Sequence, residues 1–113
     1  INFPEGILID KRNNDLLICD ANNQRIRRIF FANNNYNSIV TIAGTGPGGF
    51  NGDNILAINA QINQPIGIAL DNERNLIYFS DSGNQRIRKI NISNGIIETI
   101  CGNGNQGFNG DNI

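Results

Sequence analysis

One polar motif that could carry chemistry occurs twice in this chain. It reads CDANNQRIRRI and, 61 residues later, SDSGNQRIRKI. In each copy an aspartate, Asp20 or Asp81, stands five residues before an arginine, Arg25 or Arg86. Several such carboxylates gathered at a central channel could bind a cation or a polar ligand. Because the motif is duplicated, we favour a structural role, in which each aspartate accepts hydrogen bonds from a turn and from its arginine.

A second pair of arginines offers a binding surface. Arg27 and Arg88 alternate with apolar neighbours, so they are expected on the opposite side of their strands. In a ring of repeats they would form a stripe able to contact phosphate or an acidic protein surface. Recognition of RNA by stacking needs exposed aromatic residues beside the charge. The Phe-Phe pair that follows the motif in the first copy is absent from the second, so nucleic acid is not a favoured partner.

Two glycine-rich loops, GTGPGGFNGD and GNGNQGFNGD, follow the motifs. Neither has the Gly-Lys-Ser/Thr ending of a phosphate-binding P-loop. We expect Phe50 and Phe108 to fill gaps between neighbouring repeats and to be binding candidates. Asp53 and Asp111 are weak candidates for Ca²⁺, because each loop has too few carboxylates for a strong oxygen site. If proteins bind this chain, the face that carries these loops is the preferred surface.

Composition excludes several functions. The 113 residues contain 9 basic and 10 acidic side chains, so the net charge of −1 gives no general attraction to nucleic acid or anionic lipid. Histidine is absent, which removes the commonest general base and metal ligand. Cys19 and Cys101 are expected to be small, half-buried side chains rather than a disulfide framework. We predict no cofactor and no membrane span, and the sequence does not indicate a compartment.

Nearly the whole chain consists of two copies of one unit. The first repeat covers residues 1–61, including a long link, and the second covers residues 62–113, where its link is cut short. Each unit contains four short, β-branched segments separated by Asn- and Gly-rich turns, and only ILAINAQIN could form a helical turn. The positions that align between the copies include Pro4 with Pro65, Gly6 with Gly67, and Asp10 with Asp71.

Four antiparallel strands and a link, repeated, predict an all-β fold of two β-propeller blades. A blade cannot bury both of its faces alone, and propellers close with about 4–8 blades. We therefore expect further blades, either from a parent chain or from self-association. Three copies would complete a six-bladed ring.

The pattern P-x-G-I-x-x-D, then N-Q-R-I-R, then G-F-x-G-D resembles the NHL repeat over essentially all of the chain. The resemblance implies a propeller, usually six-bladed, that most often binds proteins. Some members bind RNA, and a related branch of lyases carries metal-dependent catalysis. We therefore predict a non-catalytic scaffold that binds protein partners through a propeller face, with Gly6 and Gly67 as structural residues. The alternatives are a calcium-dependent hydrolase or lyase and an RNA-binding ring.

Overall fold

The computed structural model describes residues 1–108 and 110–111. Short β-branched segments form the strands, and turns that use the left-handed conformation of Asn14, Asn33, Asn34 and Asn75 join them. The strands are β1 (Pro4–Asp10), β2 (Asp15–Asp20), β3 (Arg25–Ala32), β4 (Asn35–Ala43), β5 (Ile55–Leu56), β6 (Pro65–Asp71), β7 (Leu76–Asp81), β8 (Arg86–Asn91) and β9 (Ile96–Cys101).

The strands form two antiparallel sheets in the order β1-β2-β3-β4 and β5-β9-β8-β7-β6. The prediction of an all-β fold of antiparallel blades is confirmed. The link contributes one feature that the sequence did not indicate: β5 pairs with β9, so the outer edge of the second sheet is covered by a strand from the link. The predicted helical turn is a single 3₁₀ turn at Ala57–Asn59. The boundary between repeats at residues 61 and 62 stays a prediction.

The sheets stack on each other through opposite faces, as neighbouring blades do. Leu17 and Cys19 of β2 share a buried cluster with Ile77 and Phe79 of β7. In the repeat, Leu17 is the counterpart of Tyr78, not of Ile77, so the second blade offers the other side of its strand. This arrangement lets each blade offer one face to the blade before it and the other face to the blade after it.

The inner strands β1 and β6 lie very close together at Gly6. A β-carbon at this position would overlap the carbonyl oxygen of Ile66. Glycine therefore allows the contact between backbones that sets the spacing of the blades near the axis.

Each blade leaves one face open. Ile7 and Ile9 of β1 are 62% and 54% exposed, whereas their counterparts in β6, Ile68 and Leu70, pack against the core. On the other side of the molecule, Ile87 and Ile100 are also exposed. Apolar surface on this scale is typical of an interface rather than of a free surface.

The outer end of the first blade contains an ion network without a counterpart in the second. The buried carboxylates Asp10 and Asp15 lie at either end of the β1–β2 turn. Arg12 donates to Asp10 from Nε at 2.9 Å and from Nη2 at 2.8 Å, and Arg28 Nε donates to Asp15 at 2.7 Å. Arg12 Nη1 also reaches Asn75 Oδ1 of the second blade at 3.1 Å.

This network predicts acid sensitivity. The hydrogen bond from Arg12 lowers the pKa of Asp10 below its ordinary value, although burial acts in the opposite direction. A carboxylate whose pKa is lower in the folded state stabilises the fold above its unfolded pKa of about 3.9, and this contribution is lost as the pH falls through the folded pKa. We expect Arg12→Ala to make the free energy of unfolding less dependent on pH between about pH 5 and pH 2.

Urea denaturation at a series of pH values measures this difference. Arg74→Ala is the matched control, because Arg74 forms an exposed pair with Asp71 at 3.3 Å and should leave the pH dependence unchanged. An Arg12→Ala variant with the pH dependence of the original chain would contradict the role assigned to Asp10.

Candidate functional site

The duplicated motif folds in the same way in both blades. β2 and β7 end at Asp20 and Asp81, a single 3₁₀ turn follows, and a glutamine in the left-handed conformation ends that turn just before the next strand. Gln24 and Gln85 have φ of 53° and 54°. The turn brings the third residue after each aspartate back to the carboxylate and carries the chain into the next strand.

Each aspartate is the centre of a buried hydrogen-bond hub. Asp81 accepts from the Asn63 backbone N–H at 2.7 Å, from Asn84 Nδ2 at 2.9 Å and from Arg88 Nη1 at 3.0 Å. One carboxylate thus connects three parts of the chain: the segment that enters the blade, the 3₁₀ turn, and the strand that follows the turn. Because three donors satisfy this carboxylate, burial without water is tolerated.

Asp20 repeats the hub in the first blade. It accepts from the Asn2 backbone N–H at 2.8 Å, from Asn23 Nδ2 at 2.9 Å and from Arg27 Nη1 at 3.1 Å. Burial raises the pKa of Asp20, but these donors more than offset that effect, so the net pKa lies below the ordinary value.

The predicted pairing of each aspartate with the arginine five residues later is wrong. The partner is instead the arginine seven residues later, on the same face of the strand: Arg27 donates to Asp20 and Arg88 donates to Asp81. Arg25 instead donates to the carbonyl oxygens of Asn23 at 3.0 Å and Thr45 at 3.2 Å. Arg86 donates in the same way to the carbonyl oxygens of Asn84 and Asn103, both at 3.3 Å.

The first glycine-rich loop packs onto the arginines of the second blade. The Phe50 ring lies 3.7 Å from the Arg86 guanidinium carbon and 4.9 Å from that of Arg88. Arg88 Nη2 donates to the Gly52 carbonyl at 3.0 Å and to Asp53 Oδ1 at 3.2 Å. We call this set of contacts the loop clamp: Phe50, Gly52 and Asp53 of the loop against Arg86 and Arg88.

The loop clamp changes the interpretation of two predicted site residues. Arg88 is 0% exposed, so its assignment to a binding stripe on the surface is wrong. It is buried because the link of the preceding blade covers it. Asp53, the weak candidate for calcium, accepts through Oδ1 from Arg88 Nη2 at 3.2 Å and from Thr99 Oγ1 at 2.9 Å.

The counterparts of these groups remain accessible. The Arg27 side chain is 19% exposed and lies on the open face of the first blade. Phe108 in the second glycine-rich loop is 82% exposed, and Asp111 is exposed as well. The structure therefore shows one loop that is docked and one that is not.

The two cysteines have different surroundings, contrary to the expectation that both are half-buried. Cys19 is fully buried in the contact between the blades, and burial raises the pKa of its thiol to about 11. This thiol is therefore a core side chain and not a nucleophile at neutral pH. Cys101 is exposed, because nothing in the described structure covers the second blade as residues 57–62 cover the first.

Two contacts of the link were not found from the sequence. Gln24 Oε1 accepts from the Gln64 backbone N–H at 2.6 Å, and Asn51 Oδ1 accepts from the Gln61 backbone N–H at 2.8 Å. The repeated glutamine of the N-Q-R-I-R motif was the available signal for the first contact.

The residues of the hubs and of the loop clamp lie almost entirely within the region that matches a known family. The model of the family described as the teneurin NHL domain matches residues 6–109, and so includes Asp20, Asp81 and the loop clamp. The chain belongs to this family. At the family level, NHL β-propellers are protein-interaction modules. The predicted membership among NHL repeats is thereby confirmed.

Two curated relatives contain a region similar to this chain within much longer proteins. The chain is 35% identical to the Arabidopsis thaliana protein SUPPRESSOR OF QUENCHING 1, chloroplastic, over 95% of its own length and 10% of the relative. It is 33% identical to the bovine NHL repeat-containing protein 2, over 93% of its length and 13% of the relative. The chain thus spans about a tenth of these relatives.

Solved structures support the partial propeller. A structural genomics protein of unknown function from Bacteroides thetaiotaomicron aligns with a TM-score of 0.71 at 20% identity, over 88% of this chain and 24% of that one. An auxiliary nutrient binding protein of the same organism gives 0.67 at 17% identity, over 82% and 24%. At this identity the likeness concerns the fold alone. Within residues 1–108 and 110–111, no helix has the length and apolarity needed to cross a membrane.

Proposed function

We propose that this NHL module is a non-catalytic scaffold that binds protein partners at its link end. We define the link end as the end of both sheets that carries the two 3₁₀ turns after β2 and β7 together with residues 44–54 and 102–108. The observation that carries the proposal is the anchored first loop. Phe50 and Asp53 are held by the loop clamp, whereas Thr45, Pro47 and Gly48 are exposed. An exposed loop that is fixed at its base loses little entropy when a partner binds.

The polar groups that could perform chemistry are engaged in the fold. Asp20 and Asp81 are each satisfied by three donors, and Asp53 binds Arg88 and Thr99. Among the described residues, no group of three or more His, Cys, Asp or Glu side chains lies close enough to hold a metal ion. These engagements support a scaffold over the calcium-dependent alternative.

Peptide selection tests the proposed surface. Random peptides displayed on phage are selected on the folded chain, and their affinities are measured by calorimetry. We expect the Thr45→Ala, Pro47→Ala double variant to weaken the selected peptides by at least about tenfold, because it removes the exposed side chains of the anchored loop.

The control is Lys11→Ala with Glu73→Ala, two exposed residues in the turns at the opposite end of the sheets. Peptides that lose affinity in this variant, and not in the link-end variant, would overturn the proposal. Thermal unfolding with millimolar Ca²⁺ tests the alternative, because a specific calcium site raises Tm by mass action. A rise in Tm that Asp53→Asn abolishes would favour the calcium-dependent enzyme.

A further inference from the structure

Both halves of the loop clamp, the loop and the pair of arginines, occur a second time in the chain. These second copies do not contact each other within the described residues. The second glycine-rich loop offers Phe108, Gly110 and Asp111 at the positions of Phe50, Gly52 and Asp53. The first blade offers Arg25 and Arg27 at the positions of Arg86 and Arg88.

We propose that copies of this chain associate head to tail, with the loop that contains Phe108 and Asp111 in one copy docked on Arg25 and Arg27 of the next. The contacts within the chain provide the template. Phe108 would stack on Arg25 as Phe50 stacks on Arg86 at 3.7 Å, and Asp111 would accept from Arg27 as Asp53 accepts from Arg88 at 3.2 Å.

The hydrogen bonding of Arg27 favours the loop of a second copy as its binding partner. Arg88 Nη2 has two acceptors from the loop, whereas Arg27 has one hydrogen bond within the described residues, from Nη1 to Asp20. The Nε atoms of both arginines are buried without a partner among those residues. A mostly buried guanidinium beside a single carboxylate favours a second carboxylate and a carbonyl oxygen, which the loop supplies.

The apolar surfaces agree with the same placement. Ile7 and Ile9 on the receiving face are counterparts of Ile68 and Leu70, which pack against the first blade inside the chain. Ile87 on the donating face corresponds to Ile26, which is completely buried in the core cluster shared by the first blade, the link and the second blade. Docking would therefore cover both open faces, and each face would contact the same kind of surface that its counterpart contacts inside the chain.

A cavity at the end of the second blade provides room for the segment that precedes β1 in the next copy. It has a volume of about 940 Å³ and is lined by Gln85, Cys101, Gly102 and Phe108 among others. At the same place in the first blade, Gly49 N–H donates to the Ile62 carbonyl at 3.4 Å. Ile1 is the counterpart of Ile62 and is exposed here, so it would fill this cavity from the neighbouring copy.

The interface is heterologous, because the loop of one copy meets the arginines of another. Such contacts give rings when the rotation closes, and three copies would give six blades. Self-association is measured without any other protein, so its outcome is independent of the scaffold function proposed above.

Sedimentation velocity over a range of concentrations tests the association, with circular dichroism to check folding. We expect the original chain to form species larger than a monomer. Phe108→Ala and Arg25→Ala should each weaken association by at least about tenfold. Neither change leaves a buried carboxylate without its arginine, because Phe108 is exposed and Arg25 binds only carbonyl oxygens among the described residues. Glu73→Ala, an exposed residue in the β6–β7 turn at the opposite end of the sheets, is the control and should associate normally.

Mixing the two variants gives the decisive result. Phe108→Ala keeps its arginines and Arg25→Ala keeps its loop, so the mixture should form a one-to-one pair at concentrations at which each variant alone is monomeric. A monomeric original chain at high concentration, association of both variants at the original strength, or a mixture that does not pair would each overturn the proposal.

Discussion

Arg88→Ala is expected to lower the free energy of unfolding by about 3–5 kcal/mol, which is the cost of leaving one member of a buried ion pair without its partner. Asp81 would remain buried with its charge, and the Gly52 carbonyl and Asp53 would lose their donor. Because domains of this size are stable by about 5–15 kcal/mol, this single change should remove a large part of the total. Urea denaturation followed by circular dichroism measures it.

Arg27→Ala is the matched control for Arg88→Ala. The two arginines occupy equivalent positions, but Arg27 is partly exposed and lacks the contacts with a loop from a preceding blade. We expect a loss of about 1–3 kcal/mol, because Asp20 loses one of its donors. Equal losses in the two variants would show that the loop clamp adds nothing to the hub.

Gly6→Ala should destabilise the chain by about 1–3 kcal/mol or more, because the added methyl group overlaps a backbone oxygen that cannot rotate away. The new β-carbon would meet the carbonyl of Ile66 on β6, so the inner strands of the two blades must separate. The φ angle of Gly6 is not positive, so alanine itself is compatible with the local backbone and the effect reports the contact between blades. Denaturant midpoints with an unchanged m-value would identify a loss of stability in the folded state.

Gly67→Ala is the control, because it makes the same substitution at the equivalent position of the second blade. Gly67 is the counterpart of Gly6 on the open face, and its added β-carbon would meet only Ser80 Oγ at 3.4 Å, which is an ordinary contact. We expect a change within about 0.5 kcal/mol in the monomer. A Gly6→Ala variant as stable as Gly67→Ala would contradict the close approach of β1 and β6.

The repeat made most of the fold predictable. The segments GILID and LLICD were expected to be strands and lie within β1 and β2, because β-branched runs between Asn-rich turns have few alternatives. The partner of each aspartate was not predictable, since Arg25 and Arg27 lie on the same face of β3 and no local pattern tells which of the two side chains reaches the carboxylate. The pairing of Asp10 with Arg12 was hidden because the second copy does not repeat it.

The short strand β5 has a consequence for synthesis on the ribosome. It precedes the second blade in the chain, yet it seals the outermost strand of that blade, β9. Translation proceeds from the N-terminus at about 5–20 residues per second, so the seal is already outside the exit tunnel when β9 emerges. The last strand of the blade, β9, can thus pair with β5 as soon as it emerges. It therefore spends little time as an unpaired edge strand at which nascent chains could aggregate.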